Sequence, residues 1–172
     1  MDEAALWTLA GVFVGFSLGE GSRYVRHRVR IGRLKRVLYS ELESIKAQIP
    51  FMRDICEQII RSLDQREILP GLAVPTINEG YRSVIGEIYE YLTLLERNCL
   101  HIIYGRLKAG EGFLTSFERQ LIDVVRDNTI VSPFDVFADQ VNEIRKSYDY
   151  VEELIESYLQ RTPIDVFEVK VK

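Results

Sequence analysis

The pattern of apolar and polar positions divides the chain sharply. From Ala4 to Gly19 there is no charged residue, whereas Arg23 to Arg36 carries seven positive charges and no acid. The first stretch predicts an apolar helix. At about 1.5 Å per residue, Ala4 to Ser22 covers roughly 28 Å, close to the ~30 Å hydrocarbon core of a bilayer if Glu20 lies at the headgroup edge. The uncharged run alone is shorter than the ~18 residues usually demanded of a span, and the charge asymmetry supplies the remaining weight. Lys and Arg are retained on the cytoplasmic side, and all the flanking positive charge is C-terminal. Residues 1–22 are therefore expected to form a single-pass transmembrane anchor, N-terminus outside and C-terminal domain cytoplasmic. A cleaved signal peptide fits less well: Ser17-Leu18-Gly19 loosely resembles a cleavage site, but Met-Asp-Glu is not a positive n-region. The other rival is an ordinary buried helix of a soluble protein.

Residues 23–36 form a basic juxtamembrane collar. Arg23, Arg26, Arg28, Arg30, Arg33, Lys35 and Arg36 are expected to set topology and to meet lipid headgroups, each contributing about 1 kcal/mol near an anionic surface. Within the anchor, Ala4, Thr8, Gly11, Gly15, Gly19 and Ser22 follow at spacings of three or four. They share one helix face, and such small faces allow close helix–helix packing in lipid.

Past the collar the apolar period becomes heptad-like. Leu38, Leu42, Ile45, Ile49, Met52, Cys56, Ile59 and Leu63 make an unbroken a/d seam. Pro50 interrupts the backbone bonding but not the phase of the seam. The pattern thus favours one long helix kinked at Pro50 over two helices with Pro50 in the first turn of the second. Pro70-Gly71 and Pro75 mark a loop. A second long helix is expected from Ile77 through Tyr81, Val84, Ile88, Leu92, Leu95, Cys99 and Ile102, ending at Gly105 or Lys108 before Ala109-Gly110-Glu111-Gly112. A shorter helix capped by Thr115 or Ser116 should bury Phe117, Leu121, Val124 and Val125. Ser132-Pro133-Phe134-Asp135 opens the last helix, which should run to about Gln160. The fold expected is all-α: the anchor, then a cytoplasmic bundle of about four helices over 37–163. The tail, 164–172, alternates Phe167, Val169 and Val171 with charged residues, and reads as a short strand if it finds a partner edge and as disorder if it does not.

Composition narrows the function classes. The net charge of −4 hides the collar. From Val37 onward there are 15 Lys and Arg against 23 Asp and Glu, a net of −8. An acidic body disfavours nucleic acid as a partner, because phosphate contacts need a spread basic surface. Cys56 and Cys99 fall on apolar faces and read as buried thiols. His27 and His101 form no metal-binding pair, the Glu and Asp pairs at i, i+3 lack a histidine, and Gly110-Glu111-Gly112 lacks the lysine of a phosphate loop. No enzyme, no cofactor, no metal site and no small-molecule substrate is expected. The expected partners are membrane lipid and either a second copy of the chain or another protein. The leading reading is a membrane-anchored helical interaction or scaffold protein. The alternative is a small membrane-perturbing or pore-forming effector assembled through the glycine face.

Overall fold

The computed structural model describes residues 3–69, 75–127 and 132–160, with side chains described from residue 11 onward except at position 14. The described residues hold four α-helices and no strand. They are α1 (Glu3–Asp64), α2 (Glu79–Ile88), α3 (Leu94–Asp127) and α4 (Pro133–Gln160), with a 3-10 turn at Tyr89–Tyr91 between α2 and α3. The all-helical class and the number of helices agree with the apolar pattern. The tail, 164–172, lies outside the described residues.

The seam of α1 organises the core. All eight of its residues, Leu38 to Leu63, are buried, and α1 runs through the exposed Pro50 without a break. α4 packs along α1, α3 packs on α4, and α2 packs on α1. Cross-helix contacts give the directions. Tyr39 lies against Tyr158, Lys46 pairs with Glu156, and Arg53 with Asp149 and Glu152, so α4 is antiparallel to α1. Gly80 meets Glu41, Glu87 meets Arg30 and Tyr91 meets His27, so α2 runs up α1 toward the collar. α3 then returns antiparallel to α4, with Cys99 beside Leu154 and Phe117 beside Phe137. The seam is thus occupied by the chain's own helices, which removes it as a coiled-coil surface for a second copy.

Several boundaries differ from the sequence expectation. The second helix does not run from Ile77 to Gly105. Ile77 lies before α2 and is exposed, and the chain breaks at Tyr89–Thr93, where Leu92 adopts an extended backbone yet stays buried. The cause is a capping box: Glu96 accepts from the Thr93 N–H at 2.6 Å, and the Glu96 N–H donates to the Thr93 hydroxyl at 3.2 Å.

Conversely, α3 continues through Gly105 and Ala109 to Gly112, where an end was expected. Leu100, Ile103, Leu107, Gly110, Leu114, Phe117 and Leu121 are all buried at alternating spacings of three and four. A helical glycine costs about 1 kcal/mol, whereas burying one Leu or Phe gains about 1.5–3 kcal/mol, so the period wins. Thr115 and Ser116 do not start a helix. Their hydroxyls donate back to the Glu111 and Gly112 carbonyls in the middle of α3. Val125 is exposed rather than inward. The Ser132-Pro133 start and the Gln160 end of α4 stand where the sequence puts them.

No helix among the described residues is long and apolar enough to cross a membrane. The transmembrane assignment of residues 1–22 therefore finds no support in the fold itself. What the fold does show is that this segment, from Glu3 onward, is continuous with the bundle's longest helix.

Candidate functional site

The first third of α1 leaves the bundle. Residues 15–30 are all exposed, and Val12, Phe13, Phe16 and Leu18 are each close to 70% exposed. A Cβ placed on Gly11, Gly15 or Gly19 would meet nothing within 4 Å. Gly11, Gly15 and Gly19 are therefore bare within this chain. Ser22, at its end, offers its carbonyl to Arg26 Nε. The Ala4 and Thr8 side chains lie outside the described residues.

The collar splits into two groups. Arg23 pairs with Glu20 one turn back, and Arg30 reaches Glu87 of α2 at 2.7 Å. Arg28 donates through Nε to the Tyr24 hydroxyl and lies over the Tyr24 ring. Lys35 donates to the Tyr91 carbonyl at 3.0 Å, and His27 Nε2 is hydrogen-bonded to the Tyr91 hydroxyl at 2.7 Å. Arg33 and Arg36 are exposed and make no ion pair among the described residues. The sequence placed all seven cations together; the fold adds that Lys35 is anchored on the α2–α3 connection and Arg30 on α2.

That connection makes a cleft. Tyr24, His27, Arg28, Ile31, Gly32 and Lys35 recur at helical spacing and so line one face of α1, with Tyr91 as the opposite wall. The cleft has a volume of about 540 Å³ and no acidic lining residue. An adjoining depression, sharing His27, Ile31 and Tyr91 with the cleft, contains Glu87 and Glu90. Tyr89, Tyr91 and Leu94, all exposed, sit at the same end of the bundle, the end that faces the arm.

Elsewhere the polar groups serve the fold. Glu41 lies off the heptad seam yet is only 7% exposed. Its carboxylate accepts from the Gly80 and Tyr81 N–H groups and from the Tyr104 hydroxyl, so it caps α2 where Asn78 makes no side-chain cap. Burial, reinforced by Glu41, pushes the Tyr104 phenol well up. Cys56 and Cys99 are free, buried and pushed up to about 11 by desolvation, so both remain thiols at neutral pH and lack nucleophilic character. Among the described residues no group of three His, Cys, Asp or Glu converges as a metal site.

No known protein family, curated protein or solved structure matches the chain.

Proposed function

We propose that this chain is a membrane-anchored helical interaction protein without catalytic machinery of its own. In this reading the apolar arm, 4–19, enters the bilayer with the N-terminus outside. The collar lies at the cytoplasmic headgroups, and the bundle is held just beneath them as a platform for a protein partner. The observation that carries the reading is the solvent exposure of Val12, Phe13, Phe16 and Leu18 on a helix that no part of the bundle covers. Soluble proteins rarely leave such a contiguous apolar surface bare. Each of these side chains gains roughly 1.5–3 kcal/mol on leaving water. The collar supports lipid as what covers the arm, because it attracts anionic headgroups and repels a second collar. Self-association remains part of the proposal only through the Ala4 to Ser22 face, since the Leu38 to Leu63 seam is already buried.

The test is membrane retention under carbonate wash. The full chain should stay with the membrane pellet. A variant carrying Val12→Asn, Phe13→Asn, Phe16→Asn and Leu18→Asn should appear in the supernatant with its helical circular dichroism preserved. Retention of that variant would refute the arm as anchor.

A further inference from the structure

The cleft between α1 and Tyr91 has a chemistry that topology alone does not require. Arg28, Lys35 and His27 all line it, no carboxylate does, and its volume of about 540 Å³ lies in the ~300–1,000 Å³ range of small-molecule pockets. Each wall is held in place. The Tyr24 hydroxyl fixes Arg28, and Tyr91 fixes both His27 and Lys35. Gly32 keeps the floor open, since a Cβ there would meet nothing within 4 Å. The carboxylates Glu87 and Glu90 line the adjoining depression, which shares His27, Ile31 and Tyr91 with the cleft, and not the cleft itself. An arginine on one turn and a lysine two turns on, free of competing acids, suit a phosphate-bearing anion, which arginine binds through several N–H groups and lysine as a point charge.

The position of the cleft selects the source of that phosphate. Along α1, Tyr24 lies about 8 Å and Lys35 about 24 Å beyond Gly19, the last residue of the apolar run. The headgroup layer on each face of a bilayer is roughly 5–8 Å thick. With the arm in the bilayer, the Tyr24 end of the cleft therefore opens at the edge of the headgroup layer; Arg28, about 14 Å beyond Gly19, reaches back toward it through its bond to the Tyr24 hydroxyl, and Lys35 lies deeper. We infer that the cleft formed by Tyr24, His27, Arg28, Gly32, Lys35 and Tyr91 is a binding site for the phosphate of an anionic lipid headgroup. The inference rests on the membrane reading above for the source of the phosphate. It adds that the lipid is bound by the folded bundle, through Tyr91, and not only attracted by the collar.

The experiment uses the full chain in neutral detergent, with bound lipid counted by native mass spectrometry during titration with phosphatidylglycerol, phosphatidylcholine or inorganic phosphate. Two variants of equal charge are compared, R28Q/K35Q inside the cleft and R33Q/R36Q outside it. The first should lose about tenfold more phosphatidylglycerol affinity than the second, a difference of about 1.4 kcal/mol. Gly32→Leu, whose Cβ would meet nothing within 4 Å and whose bulk narrows the cleft, should lose affinity to a similar degree while its circular dichroism and Tm are kept. Equal losses from the two double variants would reduce the effect to collar attraction and overturn the site. Displacement of lipid by inorganic phosphate at matched concentration would make the cleft a free-phosphate site and overturn the lipid assignment. Carbonate-resistant membrane retention without lipid preference would sink the cleft and leave the anchor standing. Preference without retention would sink the anchor and leave the cleft.

Discussion

The Tyr104 hydroxyl donates to the Glu41 carboxylate at 2.5 Å, joining α3 to α1 at the point where α2 begins. One side chain thereby satisfies a buried phenol and two orphan N–H groups. Glu41→Ala is expected to cost about 2–4 kcal/mol, from the unpaired phenol and the lost cap together. In a double-mutant cycle with Tyr104→Phe the two losses should be strongly non-additive. Urea denaturation followed by circular dichroism measures both, and simple additivity would mean that the pair does not interact.

Stability should fall on the alkaline side. Desolvation raises the Cys56 and Cys99 thiols from 9.0 to about 11, and it pushes the Tyr104, Tyr148 and Tyr158 phenols well above their ordinary value of 10.0. In each case the folded chain holds a proton that the unfolded chain releases, so stability is complete below about pH 9 and declines as the pH rises through the raised values. A Tm series from pH 7 to 11 checks this. A flat profile would mean that these groups are not desolvated.

Gly110 and Gly105 should respond in opposite directions. A Cβ on Gly110 would stand 2.7 Å from Tyr148 Oη and 3.3 Å from an Ile144 methyl, whereas one on Gly105 would meet nothing within 4 Å. Gly105→Ala should stabilise α3 by about 0.5–1 kcal/mol. Gly110→Leu should destabilise by about 1–3 kcal/mol or more through overpacking, and Tyr148→Phe should restore most of the smaller loss caused by Gly110→Ala.

The proposed topology predicts that a cytoplasm-dependent reporter fused after Lys172 is active. Neutralising Arg23, Arg26, Arg28 and Arg30 should mix the orientations. Activity from a reporter that works only outside the cytoplasm, at the same fusion point of the wild-type chain, would reverse the assignment.

If the bare small face pairs two copies, single cysteines at Gly11 or Gly15 in a Cys56→Ala, Cys99→Ala chain should crosslink in membranes, and one at Phe13 should not. Uniform or absent crosslinking at all three positions would dismiss pairing through that face.

The α1 core was legible because its heptad phase is unbroken from Leu38 to Leu63, and a local period needs no tertiary partner to be read. The start of α4 was legible for the same reason, from Ser132-Pro133 alone. The break between α2 and α3 is not visible in the apolar period, which runs across it from Tyr81 to Ile102, although Thr93 and Glu96 are a readable capping pair; the end expected before Gly110 and Gly112 gives glycine too much weight as a breaker. Two features had no local signal. Glu41 looks like a solvated charge until Gly80 and Tyr104 arrive from 39 and 63 residues away. The cleft needs Tyr91, which is 56 residues from Lys35, so a scan of the basic run yields the cations but not the enclosure.

The uninterrupted length of α1 has a mechanical consequence. A single helix of 62 residues, about 93 Å long, joins the arm to the far end of the bundle with no joint between them. Turning the arm about its own axis turns the platform through the same angle, and tilting it by a few degrees sweeps the remote loops through several ångströms. Each residue added or removed between Gly19 and Tyr24 would swing the cleft by about 100° around the shaft. The bundle is thus indexed to the arm like a key to its bow.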